Sequence, residues 1–498
     1  MFNKIGKLKI EYWLMAVIIL QPLIDIYRTF FQNKISIGVF NIEELVNIAL
    51  IGFVSLIALI KLIDQKDKKH LIIYGGYFVL LLIYLMMHVI SVSGFDVSQF
   101  PLANISHIHN IYYILRAYVM PIVLMFAVYT LGIDDRKFLT AIKTASIIIS
   151  MVIVVSNLTG TSLVSYSDET QQILGGIFSW GDLHSESQFE LYTSKGFFYS
   201  ANQMSSLLFA MMPIIVGEFI THCNLKNGAI LVLQALAMLF IGTKTGSHGA
   251  LIALGFVLVV AIVLHLLKTD RIKQLIVIPI VGVILLGSYG LYTKSPSKLR
   301  LDYLTYLNQP ENDREEKETV ELKGQQMVRY IEDNYWFYYI NEEFIKTYPV
   351  SDHLDFWIKA VNRERHLNRD NRNFKVFMIK DIVANNDNAL DPYFGIGYLS
   401  NVPYTERDYM FQYFIFGIVG VILLMGPFFA AVIYAGFLIL RRFKQKATLL
   451  NFTLGIAICS YFVTAFIAGH TFGILMNMIF MAFYAGKLLY NVKSEVKE

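Results

Sequence analysis

The chain has very little cysteine and few charged side chains for its length. Only Cys223 and Cys459 occur among 498 residues, so a disulfide scaffold or a cysteine-based metal site has almost nothing to build on. Charged residues make up 16% of the sequence, against about 25% in soluble domains. With 55% hydrophobic residues, the chain cannot hide its apolar surface in a soluble core, and lipid is the expected solvent.

Motifs for metals and nucleotides are also missing from the sequence. The histidines are scattered, without the spacing of a ligand cluster,. The glycine-rich turn around Lys244 follows no strand and lacks the spacing of a nucleotide loop,. We therefore expect no metal and no nucleotide cofactor.

What the sequence does have is a series of apolar segments. A membrane-crossing helix needs about 20 mostly apolar residues. The sequence predicts an all-α polytopic membrane protein with about twelve transmembrane helices, at roughly 12–27, 43–60, 71–92, 110–131, 142–158, 203–220, 228–243, 248–267, 274–293, 409–440, 447–468 and 471–490.

Lysine and arginine predict the orientation of these segments. If both termini are cytoplasmic, the cytoplasmic segments carry 21 of the 42 basic residues and the short outer connectors carry 4. Cytoplasmic connectors are enriched in lysine and arginine. Both termini are therefore predicted to face the cytoplasm.

Residues 294–404 form a polar segment that is far longer than the other connectors and lies on the outer side in this topology. Its aromatic clusters predict short helices. We expect transmembrane helices one to nine in 1–293 with an outer loop at 159–202, a large extracytoplasmic loop in 294–408, and three helices with a cytoplasmic tail in 409–498. The tenth span is long and must tilt, bend near Gly426-Pro427 or project outward.

Nine predicted spans precede the large loop and three follow it, and no internal repeat relates them. Transporters built from two similar halves show such a repeat. The asymmetry favours chemistry at the outer face over alternating access.

Ionisable residues inside apolar segments are the first functional candidates, because they are costly in lipid. Arg116 lies near the outer end of the fourth span and Asp25 near the outer end of the first. Arg116 either serves a substrate or is structural, as a snorkelling side chain or as a partner of Asp25.

Two outer strips suit an anion. In the strip 195–205, which opens the sixth span, Ser200 or Asn202 is placed to cap the helix and leave amide N–H groups facing outward. The turn around Lys244 offers one lysine, hydroxyl groups and flexible backbone, which suit a phosphate. Helix capping alone, or a polar hairpin, explains each strip equally well.

Carboxylates and a histidine occur where the chain returns to the membrane. Glu406 and Asp408 come directly before the tenth span, where one of them could act as a general base or be ordinary interfacial charge beside Arg407. His470 lies between the last two spans, and a single histidine there is more often structural than catalytic.

These pieces, in this order, resemble the superfamily of O-antigen ligases and O-antigen polymerases. The matching features are the strip from Gly196 to Asn202, a turn like Ser-Arg-Gly at 243–246, Arg372 in the long loop, the strip Pro392-Tyr393-Phe394-Gly395-Ile396-Gly397, and Gly417-Ile418-Val419-Gly420 in the next span. The resemblance covers roughly residues 195–425 together with the span count.

The resemblance implies a GT-C-like architecture and a metal-independent glycosyltransferase of the bacterial cytoplasmic membrane, active on its outer face. The implied donor is an oligosaccharide linked to undecaprenyl diphosphate, and the acceptor is a glycan or wall polymer. A flippase and chain-length regulators are implied as protein partners, and no nucleic acid is.

The implied roles follow the chemistry of a diphosphate leaving group, on which cations should converge. The diphosphate-binding candidates are Arg116, Lys195, Lys244 and Arg372. The catalytic candidates are Glu406, Asp408, Arg372 and His470, and those for sugar binding are Asn202, Trp336 and Trp357.

Two departures weaken a match to the lipopolysaccharide ligases. The region before the tenth span holds Glu406 and Asp408 where those ligases place a histidine, and Lys244 stands in place of an arginine, losing its bidentate geometry. A capsule or wall-polysaccharide enzyme fits better, either polymerase or ligase. The alternative function is a flippase or transporter of lipid-linked oligosaccharide, and a non-enzymatic assembly or receptor protein is a third reading.

Overall fold

Most of the residues that the structure describes fold into helices. A computed structural model describes residues 7–31, 36–37, 40–97, 105–166, 171–182, 192–243, 245, 255, 259, 261–262, 272–307, 322–398, 407–467, 469 and 471–493. Helices are expected of apolar segments in lipid, because a helix satisfies its backbone hydrogen bonds internally.

The helices are α1 Lys7–Ile19, α2 Gln21–Phe31, α3 Ile42–Asp64, α4 Lys68–Ser93, α5 His107–Ile114, α6 Met120–Leu131, α7 Asp135–Leu158, α8 Ala201–Thr221, α9 Leu225–Ile241, α10 Ile272–Tyr292, α11 Pro296–Leu307, α12 Gln325–Asn334, α13 Glu342–Thr347, α14 Leu354–Val361, α15 His366–Arg369, α16 Asn371–Asn386, α17 Asp391–Phe394, α18 Asp408–Arg441, α19 Phe443–Lys446, α20 Leu449–Ile467 and α21 Leu475–Lys493. A π-helical turn, Leu115–Val119, joins α5 to α6. Two short strands, β1 Ser36–Ile37 and β2 Phe40–Asn41, pair antiparallel before α3.

Eight helices within the described residues are long and apolar enough to cross a membrane. They are Ile10–Phe31, Ile42–Asp64, Lys68–Ser93, His107–Leu131, Asp135–Leu158, Ala201–Thr221, Asp408–Arg441 and Leu449–Ile467. This confirms a polytopic helical membrane protein.

The count of twelve spans stays a prediction. The spans predicted at 228–243 and 274–293 correspond to shorter apolar helices, Leu225–Ile241 and Gly282–Tyr292. The span predicted at 248–267 lies largely outside the described residues. The one predicted at 471–490 corresponds to α21, whose Lys487 is buried and paired with Asp135 at 2.5 Å.

The chain forms two compact units. Unit 1 comprises 1–76, 114–301 and 425–498, and unit 2 comprises 77–113 and 302–424. In unit 1, α6 packs on α21, α8 packs on α20, and α7 packs on α9.

Unit 2 contains the short helices α12 to α17, as expected for the long polar segment. Their core is aromatic: Phe344 stacks on Phe374 with ring centroids 5.0 Å apart, and Phe356 stacks on Phe377 at 4.9 Å. Trp357 is fully buried among these rings, and its Nε1 donates to the carbonyl of Tyr348 at 2.9 Å.

Helix α18 is interrupted inside unit 2. Gly417 has φ 64° and ψ 176°, a conformation that is open essentially to glycine alone. The interruption therefore lies at Gly417, whereas a bend near Gly426-Pro427 was one of three alternatives from the sequence, beside a tilt and an outward projection.

Candidate active site

Unit 1 contains a polar cavity of about 110 Å³. It lies along α2 and at the first turns of α3, α8 and α21, beside the π-helical turn. Its lining residues are Gln21, Ile24, Asp25, Arg28, Asn41, Glu43, Glu44, Asn47, Arg116, Gln203, Gly473, Ile474, Leu475 and Met476. Buried polar groups need hydrogen-bond partners. The partners of each charged group therefore indicate which groups are left to bind a ligand.

Arg116 is paired with Glu44. Its Nη1 lies 2.5 Å from Glu44 Oε1, and the Glu44 side chain is only 5% exposed. The other carboxylate oxygen of Glu44 accepts the backbone N–H of Asn41 at 3.1 Å, which ties it to the first turn of α3. The partner is therefore Glu44, where the sequence had suggested Asp25.

Asp25 is buried and held on both oxygens. Oδ2 accepts the backbone N–H of Tyr199 at 3.0 Å, and Oδ1 accepts Nε2 of Gln203 at 3.0 Å. Both donors belong to the strip that opens α8. These hydrogen bonds therefore connect the middle of α2 to the start of α8.

Lys195, in the same strip, is buried and next to this junction. Its Nζ donates to the carbonyl of Tyr199 at 3.3 Å, and its backbone N–H donates to Leu163 at 3.0 Å. Ser200 is the N-cap residue of α8 but makes no side-chain cap bond. Asn202, half-buried in the first turn, accepts at its backbone carbonyl from the hydroxyl of Ser205 at 3.1 Å.

Two charged groups at the cavity differ from the others. Glu43 is 8% exposed and makes no hydrogen bond or ion pair with a described residue. The guanidinium of Arg28 stacks 4.1 Å above the ring of Tyr199 and makes no hydrogen bond to a described residue. The cavity thus presents one carboxylate and one guanidinium whose hydrogen-bonding capacity is not used within the described chain.

In unit 2, the glycine-rich strip 392–397 closes the interruption of α18. The backbone N–H groups of Ile396 and Gly397 donate to the carbonyls of Phe414 and Ile415, each at 3.0 Å. The Phe416 carbonyl accepts from the hydroxyl of Tyr84 at 3.0 Å. Three carbonyls at the end of a helical segment are therefore satisfied.

Glycine is required on both sides of this contact. A Cβ on Gly395, where φ is 79°, would lie 2.1 Å from the carbonyl oxygen of Ile415. A Cβ on Gly417 would lie 2.3 Å from the backbone nitrogen of Phe394. The two glycine patterns noted in the sequence therefore belong to one structural contact.

A buried polar cluster lies beside this strip in unit 2. Asp391 accepts from Asn386 at 2.6 Å and from the hydroxyl of Ser91 at 3.2 Å. Burial raises the pKa of the Asp391 carboxyl, and the two hydrogen bonds partly oppose the shift. His88 contacts the Phe394 carbonyl at 2.5 Å and Asn110 at 2.8 Å.

Arg372 lies in the first turn of α16, and Arg407 reaches the same turn. Asp370 caps the helix by accepting the backbone N–H of Arg372 at 3.0 Å. Arg407 Nη2 donates to Asn373 Oδ1 at 2.6 Å and lies 4.0 Å from Asp370. Two guanidinium groups therefore belong to residues at one helix N-terminus, and the second was not a candidate from the sequence.

The remaining predicted site residues fall into three groups. Asp408 is buried at the start of α18, and Trp357 is in the aromatic core of unit 2. Trp336 is 64% exposed and is the tryptophan of this pair that offers a ring face. Lys244, Glu406 and His470 lie outside the described residues.

Comparison with known sequences identifies the family. The family model described as O-antigen ligase like membrane protein matches residues 7–495. The chain belongs to the O-antigen ligase-like family of membrane proteins. No curated protein gives a significant match to it.

The features missed in this O-antigen ligase-like protein share one cause. Arg28 and Glu43 lie at the outer ends of predicted spans, where they look like ordinary connector or interfacial charges. What distinguishes them is that they line a cavity without a hydrogen bond to a described residue, which depends on contacts with α8 and α21. The carboxylate pair Glu43-Glu44 just inside an apolar segment was the available signal.

Proposed function

We propose that this protein is a glycosyltransferase that polymerises or ligates an undecaprenyl-diphosphate-linked oligosaccharide at the outer face of the bacterial cytoplasmic membrane. Its product is a cell-surface polysaccharide, such as a capsule, a wall polysaccharide or an O-antigen-like chain. The observation that carries the proposal is the polar cavity beside α2 and the first turns of α3, α8 and α21. In the predicted topology these first turns face outward.

The proposed reaction transfers the glycan from the lipid to an acceptor hydroxyl. The acceptor oxygen attacks the anomeric carbon, the bond from that carbon to the diphosphate oxygen breaks, and its electron pair leaves with undecaprenyl diphosphate. The proton of the acceptor hydroxyl passes to a carboxylate. Glu406 and Asp408 are the proposed acceptors, and His470 is an auxiliary candidate.

Cations stabilise the charge that develops on the leaving diphosphate. We assign this role to Arg372 with Arg407, and to Lys195 and Lys244. Arg116 belongs to the set as well, although Glu44 already balances its charge. Trp336 and Asn202 are proposed to contact sugar.

The experiment uses purified full-length protein with its native undecaprenyl-diphosphate oligosaccharide and acceptor. We expect a ladder of longer glycans from a polymerase, or a single transferred glycan from a ligase. Separate replacement of Arg372, Lys244 and Glu406 by alanine should each lower the rate at least tenfold, with Lys346→Ala, on the exposed face of α13, as the control. Donor movement across liposomes without any transfer would contradict the proposal and support the flippase.

A further inference from the structure

The polar cavity of unit 1 contains more hydrogen-bonding capacity than its own contacts use. Asp25 and Glu44 are each held on both carboxylate oxygens. Glu43, more than nine-tenths buried, and Arg28 line the same cavity without a hydrogen bond to a described residue. A buried carboxylate left without a partner is costly, which points to a ligand that supplies hydrogen bonds.

The charge next to Glu43 argues against an anion at that carboxylate. Asp25, Glu43 and Glu44 line the cavity with Arg28 and Arg116, and Lys195 is close enough to act on Asp25, so the formal charges balance without a bound anion. A diphosphate in contact with Glu43, which has no ion pair with a described residue, would add repulsion between like charges. A metal ion is not favoured either, because no group of three or more ligating side chains occurs among the described residues.

An uncharged polyhydroxylated ligand matches what remains. A hydroxyl group both donates and accepts hydrogen bonds. Glu43 offers acceptors, while Arg28, whose face is occupied by Tyr199, offers its N–H edge as donors. The amides of Gln21, Asn41, Asn47 and Gln203 add both kinds. The cavity has room for several waters, which the hydroxyls of a sugar would replace at the same polar groups.

We propose that this cavity is a sugar-binding subsite, in which Glu43 accepts and Arg28 donates hydrogen bonds to the hydroxyls of one uncharged sugar residue of the glycan. This inference rests on the proposed function only for the identity of the glycan that supplies the sugar. Glu43 and Arg28 contact the sugar and not the diphosphate. The sugar belongs either to the donor or to the acceptor.

Binding measurements on the full-length protein in nanodiscs test this subsite without requiring transfer. The probes are an oligosaccharide released by mild acid from the producing cell's own surface polysaccharide, and undecaprenyl diphosphate. We expect Glu43→Gln and Arg28→Lys each to weaken oligosaccharide binding at least tenfold and to change undecaprenyl diphosphate binding less than twofold. Glu342→Gln, at an exposed carboxylate of α13, is the matched control and should change neither.

The other binding results overturn the subsite. Loss of undecaprenyl diphosphate binding with oligosaccharide binding retained would assign the cavity to the diphosphate. The cavity would not be a sugar site if the wild type bound no oligosaccharide at millimolar concentration. The same conclusion would follow if both variants bound oligosaccharide as the wild type does and unfolded normally on heating. If the sugar binds through Glu43 while no transfer ever occurs, the proposed function fails and the subsite stands.

Kinetics then separate the two sources of the sugar. A rise in KM for the acceptor alone in Glu43→Gln means that the acceptor supplies the bound sugar. A rise in KM for the donor alone means that the donor supplies it. A change in kcat with both KM values unaltered would contradict a binding role for Glu43.

Discussion

The polar cavity of unit 1 and the interrupted helix of unit 2 are two ways of placing polar groups among apolar helices. At the interruption of α18, the carbonyls of Phe414, Ile415 and Phe416 are all satisfied by the strip 395–397 and Tyr84. In the cavity, Glu43 and Arg28 keep unused capacity. A fully satisfied polar cluster stabilises a backbone path, whereas a surplus of buried hydrogen-bonding groups marks a place for a ligand.

The largest expected effect comes from breaking the satisfied region. Gly417→Ala forces an alanine into a glycine-only conformation, which costs about 1–3 kcal/mol, and its Cβ would also collide with the backbone of Tyr393 and Phe394. We expect little folded protein on size-exclusion chromatography, or a large fall in the thermal unfolding midpoint. Gly436→Ala is the control in the same helix, because its Cβ would meet nothing within 4 Å. Equal stability of the two variants would contradict the contact.

The ion pair at the cavity should give the second largest effect. Glu44→Gln or Arg116→Gln leaves one buried charge without its partner, and we expect each to lower stability by about 1–3 kcal/mol, below the range for wholly buried pairs because Arg116 is partly exposed,. The double variant should lose less than the sum, since the two groups interact directly.

A double-mutant cycle on thermal unfolding measures this coupling. The exposed pair Glu342–Lys346 of α13 is the reference, for which about 0.5 kcal/mol or less is expected. A cavity pair that couples no more strongly than this reference would mean that Arg116 is not held by Glu44.

Substitutions of the two tryptophans of unit 2 should have different effects, one on stability and the other on activity. Trp357→Phe removes the hydrogen bond to the Tyr348 carbonyl in the aromatic core, with an expected loss of about 1–2 kcal/mol. Trp336→Phe, at an exposed ring, should change stability by less than about 0.5 kcal/mol. If Trp336 contacts sugar, Trp336→Ala lowers glycan transfer while the unfolding midpoint stays constant.

The smallest effect concerns pH. Because burial raises the pKa of Asp391, the folded protein holds this proton at pH values where the unfolded chain has released it. Stability from this group is therefore complete below its ordinary pKa of 3.8 and is lost as pH rises through the folded value. Asp391→Asn should remove this decline, so the stability of the variant rises relative to that of the wild type as pH increases above 3.8,.

Ser91→Ala sharpens that test. The Ser91 hydroxyl donates to Asp391, which favours the charged carboxylate, so removing it should raise the pKa further and extend the decline to higher pH. Unfolding midpoints that depend on pH in the same way in wild type and Asp391→Asn would contradict a buried titrating Asp391.

The sequence predicted elements well where one run of residues carries the signal. The second and third spans, predicted at 43–60 and 71–92, appear as Ile42–Asp64 and Lys68–Ser93, because long apolar runs suffice to define them. The strips around Gly395 and Gly417 were also recognised. The sequence could not predict that each glycine leaves room for the backbone next to the other. The two glycines lie in different segments, and their separation along the chain does not imply a distance in space.

The candidate site was predictable only in part for the same reason. Arg116 was identified because a charge inside an apolar run is conspicuous, but its partner Glu44 lies on another helix. Arg28 and Glu43 looked like ordinary charges at the ends of spans. Their distinction comes from the helices that enclose the cavity they line, whose arrangement a single sequence does not reveal.

The interruption at Gly417 also limits the length of continuous helix in α18. A continuous helix from Asp408 to Arg441 would measure about 51 Å at 1.5 Å per residue, well beyond the hydrocarbon thickness of a bilayer. The piece after Gly417 measures about 36 Å, close to what a tilted span requires. The piece before it, about 13 Å, is too short to cross the bilayer. The interruption at Gly417 therefore divides a helix that is too long for the bilayer into one piece of membrane-spanning length and one short separate piece.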